Sequence, residues 1–422
     1  MKAKAVEEKA RPARWRRFAS VCDYKAKARQ PWPASRPCNG NAARWNGKPV
    51  RAGQARMPYN LDMNHFDILL AFALPPSELA SDLQRAVRAP ALSMLTARAK
   101  SQVATDHDEY ARALPHETWL ASQLGLASMS ANGLSSSPPL AQAVRAACAL
   151  EKEDGTWFVL TPVQLHVARD HLVLADRRQL ELSEPESRAL FETARPLFEE
   201  FGHALRYASA STWLLRADAW ADLSTSTPDA ASGHNIDIWL PKGAGERDWR
   251  RLQNEVQMAW HDHPVNQQRE ARGVKPVNSL WLWAATPAAL PPAAAAPAQP
   301  MRYPGIATLP GWSEALAEIA LVRQLASAPA WSTSMAPAAS QALHYDSSLI
   351  GPALVADWSS WLAQLQRLES EVFLPALEAL KSGRLASLAL VFTHGTRTLE
   401  FIVSKNSLAR FWIKPTLGKL FK

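Results

Sequence analysis

The densest run of polar side chains in the sequence is HDHPVNQQREARGVKPVNSLWLW, at residues 261–283. Pro264 and Pro276 stiffen the backbone there, and Gly273 tolerates a positive φ. Several side chains in this frame donate hydrogen bonds, with few carboxylates beside them. They are His263, Asn266, Arg269, Arg272, Lys275 and Asn278. Because a guanidinium group binds phosphate or carboxylate through two parallel hydrogen bonds, this loop suits an anionic ligand.

A structural interpretation of the same residues stays open. In it the asparagines satisfy backbone groups at turns, the arginines pair with Asp262 and Glu270, and the tryptophans belong to the core. Asp237, in the short apolar run NIDIWLP, is a further candidate that could face a ligand beside the segment.

The elements around this segment follow from hydrophobic periodicity. Trp249, Leu252, Val256 and Trp260 fall on one helical face, so a helix precedes the segment, and SLWLW predicts a strand at its end. Elsewhere the apolar run at 66–74 predicts a buried strand, and NIDIWLP a short one. Amphipathic helices end at Gly202 and at Gly383, and the second is followed by two strands about the turn THGTR. Apolar strands among helices predict a layered α/β fold.

Composition and periodicity divide the chain into five segments. They are a disordered basic tail (1–62), the first part of an α/β core (63–156), a ligand-binding-type subdomain (157–283), an Ala/Pro-rich linker (284–300) and the second part of the core (301–422).

The net charge of +8 is a property of the tail. Residues 1–62 contain 15 Lys and Arg against four acids, or +11, which leaves −3 for the remainder. Two interpretations of the tail stay open: a disordered extension, or a stretch upstream of a natural start at Met63. Nucleic acid is therefore not an expected partner. No stretch approaches the roughly 20 apolar residues of a membrane span, and no signal peptide is evident, so we expect a cytoplasmic protein.

Other common functional sites have no support in the sequence. Three cysteines without a CxxC spacing argue against a disulfide framework and a zinc module. There is no GxSxG motif, P-loop or Rossmann glycine fingerprint, so hydrolase, NTPase and dehydrogenase functions are not indicated.

The segment also carries a family resemblance. His263 to Asn266, then Arg269, Gly273, Pro276, Asn278 and the W-L-W strand resemble a block of archaeal-type cofactor-independent phosphoglycerate mutases. This resemblance implies an alkaline-phosphatase-like fold in which the block belongs to the substrate-binding side. The family pattern continues with glycine, whereas this chain has Ala284.

The metal-binding motifs of that family are largely missing. Its Asp-His-Gly motif is here Thr393-His394-Gly395, and the strand at 66–74 runs into prolines without an Asp-Gly motif. Threonine does not replace a carboxylate as a strong metal ligand. The segment before the last long helix offers His344 and Asp346 in an unfamiliar spacing, so His344, Asp346 and His394 are weak metal candidates. We therefore expect a degenerate core without a metal centre.

Over residues 63–422 the chain resembles the RpfE-type regulatory proteins of proteobacteria, which are phosphoglycerate-mutase-like. This resemblance implies a regulatory role. We expect a non-catalytic protein without a cofactor that binds an anionic metabolite, phosphorylated or carboxylated, or a protein partner. The alternative is an active mutase or phosphatase that uses Mn²⁺ or Mg²⁺.

Overall fold

A five-stranded mixed sheet forms one half of the protein. The computed structural model describes residues 63–123, 135–148, 150, 153–286 and 341–421. The strands of this sheet, in spatial order, are β2 (Ser101–Asp106), β11 (Arg397–Ser404), β10 (Leu385–Thr393), β1 (Met63–Leu70) and β9 (Gln341–Asp346). Strand β1 runs parallel to both of its neighbours, whereas β11 is antiparallel to β10 and to β2.

The second half of strand β1 is mostly apolar because both of its faces are buried there. Phe66, Ile68 and Leu70 face a layer of helices, and Leu69 faces the opposite side of the sheet. The helices of that layer are α1 (Ala80–Ala86), α2 (Pro90–Ala97), α10 (Trp358–Leu368), α11 (Leu374–Ser382) and α12 (Lys405–Leu408). A π-helical turn, Glu369–Phe373, joins α10 to α11. Gly383 ends α11 with φ of 82°, which confirms the predicted helix end.

A second sheet of four antiparallel strands forms the other half. Its spatial order is β6 (Ala204–Ser209), β7 (Thr212–Arg216), β3 (Trp157–Val163) and β8 (Ser279–Thr286). A small hairpin of two strands, β4 (Leu165–Ala168) and β5 (His171–Leu174), follows β3 in the sequence. Two amphipathic helices, α5 (Glu184–Glu200) and α7 (Glu246–His261), cover one face of this sheet.

An apolar layer joins the two sheets. Leu69 and Val391 from the first sheet belong to the same buried cluster as Trp157, Trp281 and Trp283 from the second. Short helices contribute to this layer: α3 (Pro115–Gln123), α4 (Ala141–Ala147), α6 (Pro228–Ala231) and α9 (Ile350–Leu354). The predicted layered α/β architecture is confirmed at this level.

Three local predictions differ from the structure. NIDIWLP forms a 3-10 turn (Ile236–Ile238) and not a strand, because the Asn235 side chain accepts a hydrogen bond from the backbone of Asp237 and favours a turn. Strand β8 continues to Thr286, into the segment predicted as a linker from residue 284, since Ala284 is still in the core. The 261–283 segment contains a helix, α8 (Pro264–Ala271), where a loop was predicted.

Several predictions fall outside the described residues. They concern the basic tail, the rest of the linker and the start of the second core segment, that is, residues 1–62, 287–300 and 301–340. Within the described residues, no helix combines the length and apolar character that crossing a membrane requires.

Candidate functional site

Helix α8 organises the first half of the 261–283 segment. Pro264 occupies its first turn, where the missing N–H costs nothing, and the His263 ring caps the helix by accepting a hydrogen bond from the Val265 amide. Gly273 follows the helix with φ of 70°, as its residue type predicts. The prolines therefore position a helix between α7 and β8.

Two of the predicted ligand-binding side chains are buried inside this segment. Asn266, 2% exposed, donates to the carbonyls of Trp260 and Val277 and accepts from the Val277 amide. Arg269, 1% exposed, donates to the carbonyls of Lys275 and Leu180 and forms an ion pair with Glu186 at 3.0 Å. Neither side chain has a surface on which a ligand could bind.

The other predicted residues of the segment also bind the chain itself. Asn278 donates to the carbonyl of Leu165 and accepts from its amide, which fixes the β4–β5 hairpin. Arg272 is exposed and pairs with Glu186, the same carboxylate that binds Arg269. The remaining contacts are Lys275 Nζ to Gln179 and His263 Nε2 to Thr193. These contacts are those of the structural interpretation of the segment. The two arginines, however, pair with Glu186 and not with Asp262 or Glu270.

Asp237 lies apart from these residues, exposed on the 3-10 turn. The weak metal candidates do not meet either. His344 is buried on β9, neither of its ring nitrogens is hydrogen-bonded to any described residue, and burial lowers its pKa to about 4. Asp346 pairs with Arg367, and His394 lies against the Phe72 ring. Among the described residues, these three do not form a group close enough to share an ion.

A different set of metal-ligating side chains does converge. His116 and Glu117 in the first turn of α3 and Asp229 on α6 each offer one atom, and these three atoms lie within 4.8 Å of one another. All three residues are buried. One local signal for this group is visible in the sequence, the adjacent His and Glu of PHETW at a helix start. The third member lies 112 residues further on, and no spacing rule connects the two.

Two arginines neutralise one of these carboxylates. Arg178 pairs with Asp229 and, at 2.8 Å, with Asp176, and Arg177 Nε lies 3.4 Å from Asp229. Although burial alone would raise the pKa of Asp229, the arginines hold it well below its usual value. Burial and repulsion from Asp229 raise the pKa of Glu117 to about 7. Glu117 therefore titrates near neutral pH.

The same arginines line a cleft between the two halves of the protein. Its volume is 490 Å³, and its walls come from the 3-10 turn before α5, from β3, from the β6–β7 turn and from the loop between β9 and α9. The polar groups that bear on ligand binding are Arg177, Arg178, Glu181, Ser347 and Ser348. The cleft thus combines two cations and several hydroxyls with one carboxylate.

Not all of these groups are used by the fold. Within the described residues, the Nη atoms of Arg177 and the hydroxyl of Ser347 make no hydrogen bond. Ser348, by contrast, donates to Asp346 and accepts from Arg367. A guanidinium fork and a free hydroxyl in one cleft can bind a phosphate or a carboxylate.

Comparisons with known proteins give distant similarities of fold. No protein-family model and no curated protein matches the sequence. One matching solved structure is a cofactor-independent phosphoglycerate mutase from Thermoplasma acidophilum, with 14% identity and a TM-score of 0.37, matched over 81% of this chain and 90% of that chain. Another is a protein from Pyrococcus horikoshii, with 12% identity and a TM-score of 0.41, over 81% of this chain and 87% of that chain.

Proposed function

We propose that the protein binds a small anionic metabolite, phosphorylated or carboxylated, in the cleft lined by Arg177 and Ser347. The observation that carries this proposal is that, within the described residues, the Nη atoms of Arg177 and the hydroxyl of Ser347 make no hydrogen bond, and both groups line the cleft beside the cation of Arg178. Arg178 supports the site in a second way. Its ion pairs with Asp176 and Asp229 fix the side chain, so less conformational entropy is lost when a ligand binds.

The position of the cleft suits a regulatory role in the cytoplasm. Its walls come from both halves of the protein, the four-stranded sheet through Thr161 and the five-stranded sheet through the loop after β9. A ligand that contacts both walls favours the arrangement in which they are close together. The population of this arrangement would then depend on the concentration of the metabolite. A protein partner that binds this arrangement would respond to the same concentration.

We infer that the protein is a non-catalytic, RpfE-type relative of the phosphoglycerate mutases, with a degenerate alkaline-phosphatase-like core. Thr393 stands where the mutase motif has aspartate, and its hydroxyl is fully buried without a hydrogen bond among the described residues. The second candidate function is a metal-dependent mutase or phosphatase that uses Mn²⁺ or Mg²⁺. The group of His116, Glu117 and Asp229 is the observation in its favour.

Replacing Arg177 with alanine is expected to weaken binding of the anion about tenfold. One charge-assisted hydrogen bond contributes roughly 1.5–3 kcal/mol, of which the neighbouring Arg178 compensates a part. Calorimetric titration with inorganic phosphate and with 3-phosphoglycerate, which carries both a phosphate and a carboxylate, measures this change. Arg177 has no role in the sheets, so the variant should fold.

Arg195→Ala is the matched control, because Arg195 is an exposed arginine on α5 that lies outside the cleft and pairs with Glu192 and Glu199. It should bind both probes as the wild type does. Equal affinity of the Arg177 and Arg195 variants would contradict the assignment of the cleft. Release of inorganic phosphate from 3-phosphoglycerate in the presence of Mn²⁺ would favour the enzyme.

A further inference from the structure

His116 is a buried polar side chain without a hydrogen-bond partner. It is 0% exposed, and within the described residues neither ring nitrogen is hydrogen-bonded. The rings of Phe72 and Tyr345 lie 6.0 and 6.3 Å from the imidazole, so the ring is held by aromatic contacts. Buried polar atoms are nearly always satisfied, and an unpaired one calls for a partner.

The groups beside the imidazole are negatively charged. One ring nitrogen lies within 4.8 Å of a carboxylate oxygen of Glu117 and of one of Asp229, and the two oxygens lie within the same distance of each other. Ligand atoms about 2.1 Å from a zinc ion lie at most about 4.2 Å apart. Small side-chain rotations would therefore bring the three atoms into a single coordination sphere.

We propose that His116, Glu117 and Asp229 bind a divalent transition-metal ion such as Zn²⁺. One imidazole nitrogen and two carboxylate oxygens form a ligand set that suits Zn²⁺ and leaves a fourth position for water. The ion would satisfy the imidazole and relieve the repulsion between the carboxylates. This site does not belong to the set of residues that the sequence predicted, and the proposal does not rest on anion binding in the cleft.

Arg177 and Arg178 oppose the binding of a cation, and their effect is limited by Asp229 and Asp176. Together the two arginines and these two aspartates sum to zero charge, so an ionised Glu117 leaves one negative charge near the site. A carboxylate has about four lone-pair positions, so Asp229 can bind the ion and Arg178 at the same time.

The site would join the two halves of the protein. Helix α3 follows on the segment that leads out of β2 in the first sheet, and α6 follows Ser226, whose carbonyl accepts a hydrogen bond from Trp281 of the second. Since all three ligands are buried, we infer that the ion stabilises the fold. An ion that binds the folded state alone raises the unfolding temperature with its concentration.

The test is metal binding by the full-length protein after treatment with a chelator. Titration with Zn²⁺, and with Co²⁺ followed by visible absorption, should show one equivalent bound at a site that gives tetrahedral or five-coordinate Co²⁺ bands. His116→Ala should weaken this binding more than about 100-fold, since even residues around the ligands of metal sites are worth 10–100-fold. Added Zn²⁺ should raise the unfolding temperature of the wild type and not of the variant.

His344→Ala is the matched control. His344 is also buried, has two ring nitrogens without a partner in the described part of the chain and has a pKa lowered to about 4, but it lies outside the group. It should bind one equivalent of metal as the wild type does. Glu117→Gln is a second variant that should keep the fold, because its amide oxygen can still accept hydrogen bonds from the Thr227 hydroxyl and the Leu114 amide.

Three results would overturn the proposal: no metal bound by the wild type, equal affinity in the His116 and His344 variants, or unchanged affinity in Glu117→Gln. Phosphate titration of the chelator-treated wild type tests the cleft separately. Binding of phosphate without metal binding, or the reverse, shows which of the two proposals fails.

Discussion

Replacing Arg269 with alanine should lower the free energy of unfolding by about 3–5 kcal/mol, the cost of removing one member of a buried ion pair. Arg269 is the buried centre of the 261–283 segment, and its guanidinium group binds the carbonyls of Lys275 and Leu180 together with Glu186. The truncation leaves two carbonyls unpaired and a cavity beside α8. Urea unfolding monitored by tryptophan fluorescence measures the loss.

Arg272→Ala is the control for this prediction. Arg272 pairs with the same carboxylate of Glu186, but its side chain is 57% exposed. An exposed ion pair contributes about 0–1 kcal/mol, so this variant should unfold close to the wild type. A stable Arg269→Ala protein that no longer binds phosphate would instead restore the interpretation of the segment as a ligand clamp.

The contrast between these two arginines shows what sequence reasoning could not decide about this segment. The residue types that bind phosphate, namely arginine forks and asparagine amides, are the same types that satisfy carbonyls at the end of a helix. The deciding fact is burial, and burial of Asn266 and Arg269 depends on α5 and on the loop at Leu180, about 90 residues away. The local sequence pattern does not indicate which distant residues cover these two side chains.

More of the fold than of the candidate site could be predicted from the sequence. Strand β1, helices α5 and α7 and the β10–β11 pair are each specified by local periodicity and by a nearby glycine or proline. The misassigned element, NIDIWLP, is apolar enough for a strand, but Asn235 caps a turn through its own side chain. The pairing of β1 with β9 and β10 is non-local, since more than 270 residues separate the strands, and no single-sequence pattern reports it.

The two sites proposed here share two side chains, Arg177 and Arg178. Both line the cleft and both pair with Asp229 of the candidate metal group, Arg178 more closely. A metal ion that draws on the Asp229 carboxylate weakens its hold on Arg178 and leaves that guanidinium freer to bind an anion. By thermodynamic linkage, the anion would raise the affinity for the metal by the same factor.

The second large effect is on the pH dependence of stability. Glu117 has a pKa of about 7 in the folded protein against 4.5 for the free side chain, so the folded state holds an extra proton between these values. The stability that this proton provides is fully present below pH 4.5 and is lost as the pH rises through 7. At 1.36 kcal/mol per pH unit, the loss in the free energy of unfolding is at most about 3 kcal/mol. The Glu117→Gln variant should not show this loss.

Subtracting the unfolding free energy of the wild type from that of Glu117→Gln at each pH isolates this contribution. The other charged groups around the carboxyl are Asp229, Arg177, Arg178 and His116. Of these, His116 titrates in the opposite sense, because its lowered pKa of about 4 makes stability rise with pH up to about 6.5. The pH dependence of wild-type stability therefore combines the contributions of Glu117 and His116. A chelator has to be present during the measurement so that no bound metal ion contributes.

The difference should favour the glutamine variant increasingly from pH 4.5 to pH 7, with the steepest change between these two values, and should level off above pH 7. Glu192→Gln, an exposed glutamate paired with Arg195, should give a flat difference over the same range. A flat difference for Glu117→Gln as well would contradict the raised pKa of Glu117. Replacing the chelator with Zn²⁺ should flatten the difference between the wild type and Glu117→Gln, because an ion bound at His116 and Asp229 lowers the pKa of Glu117.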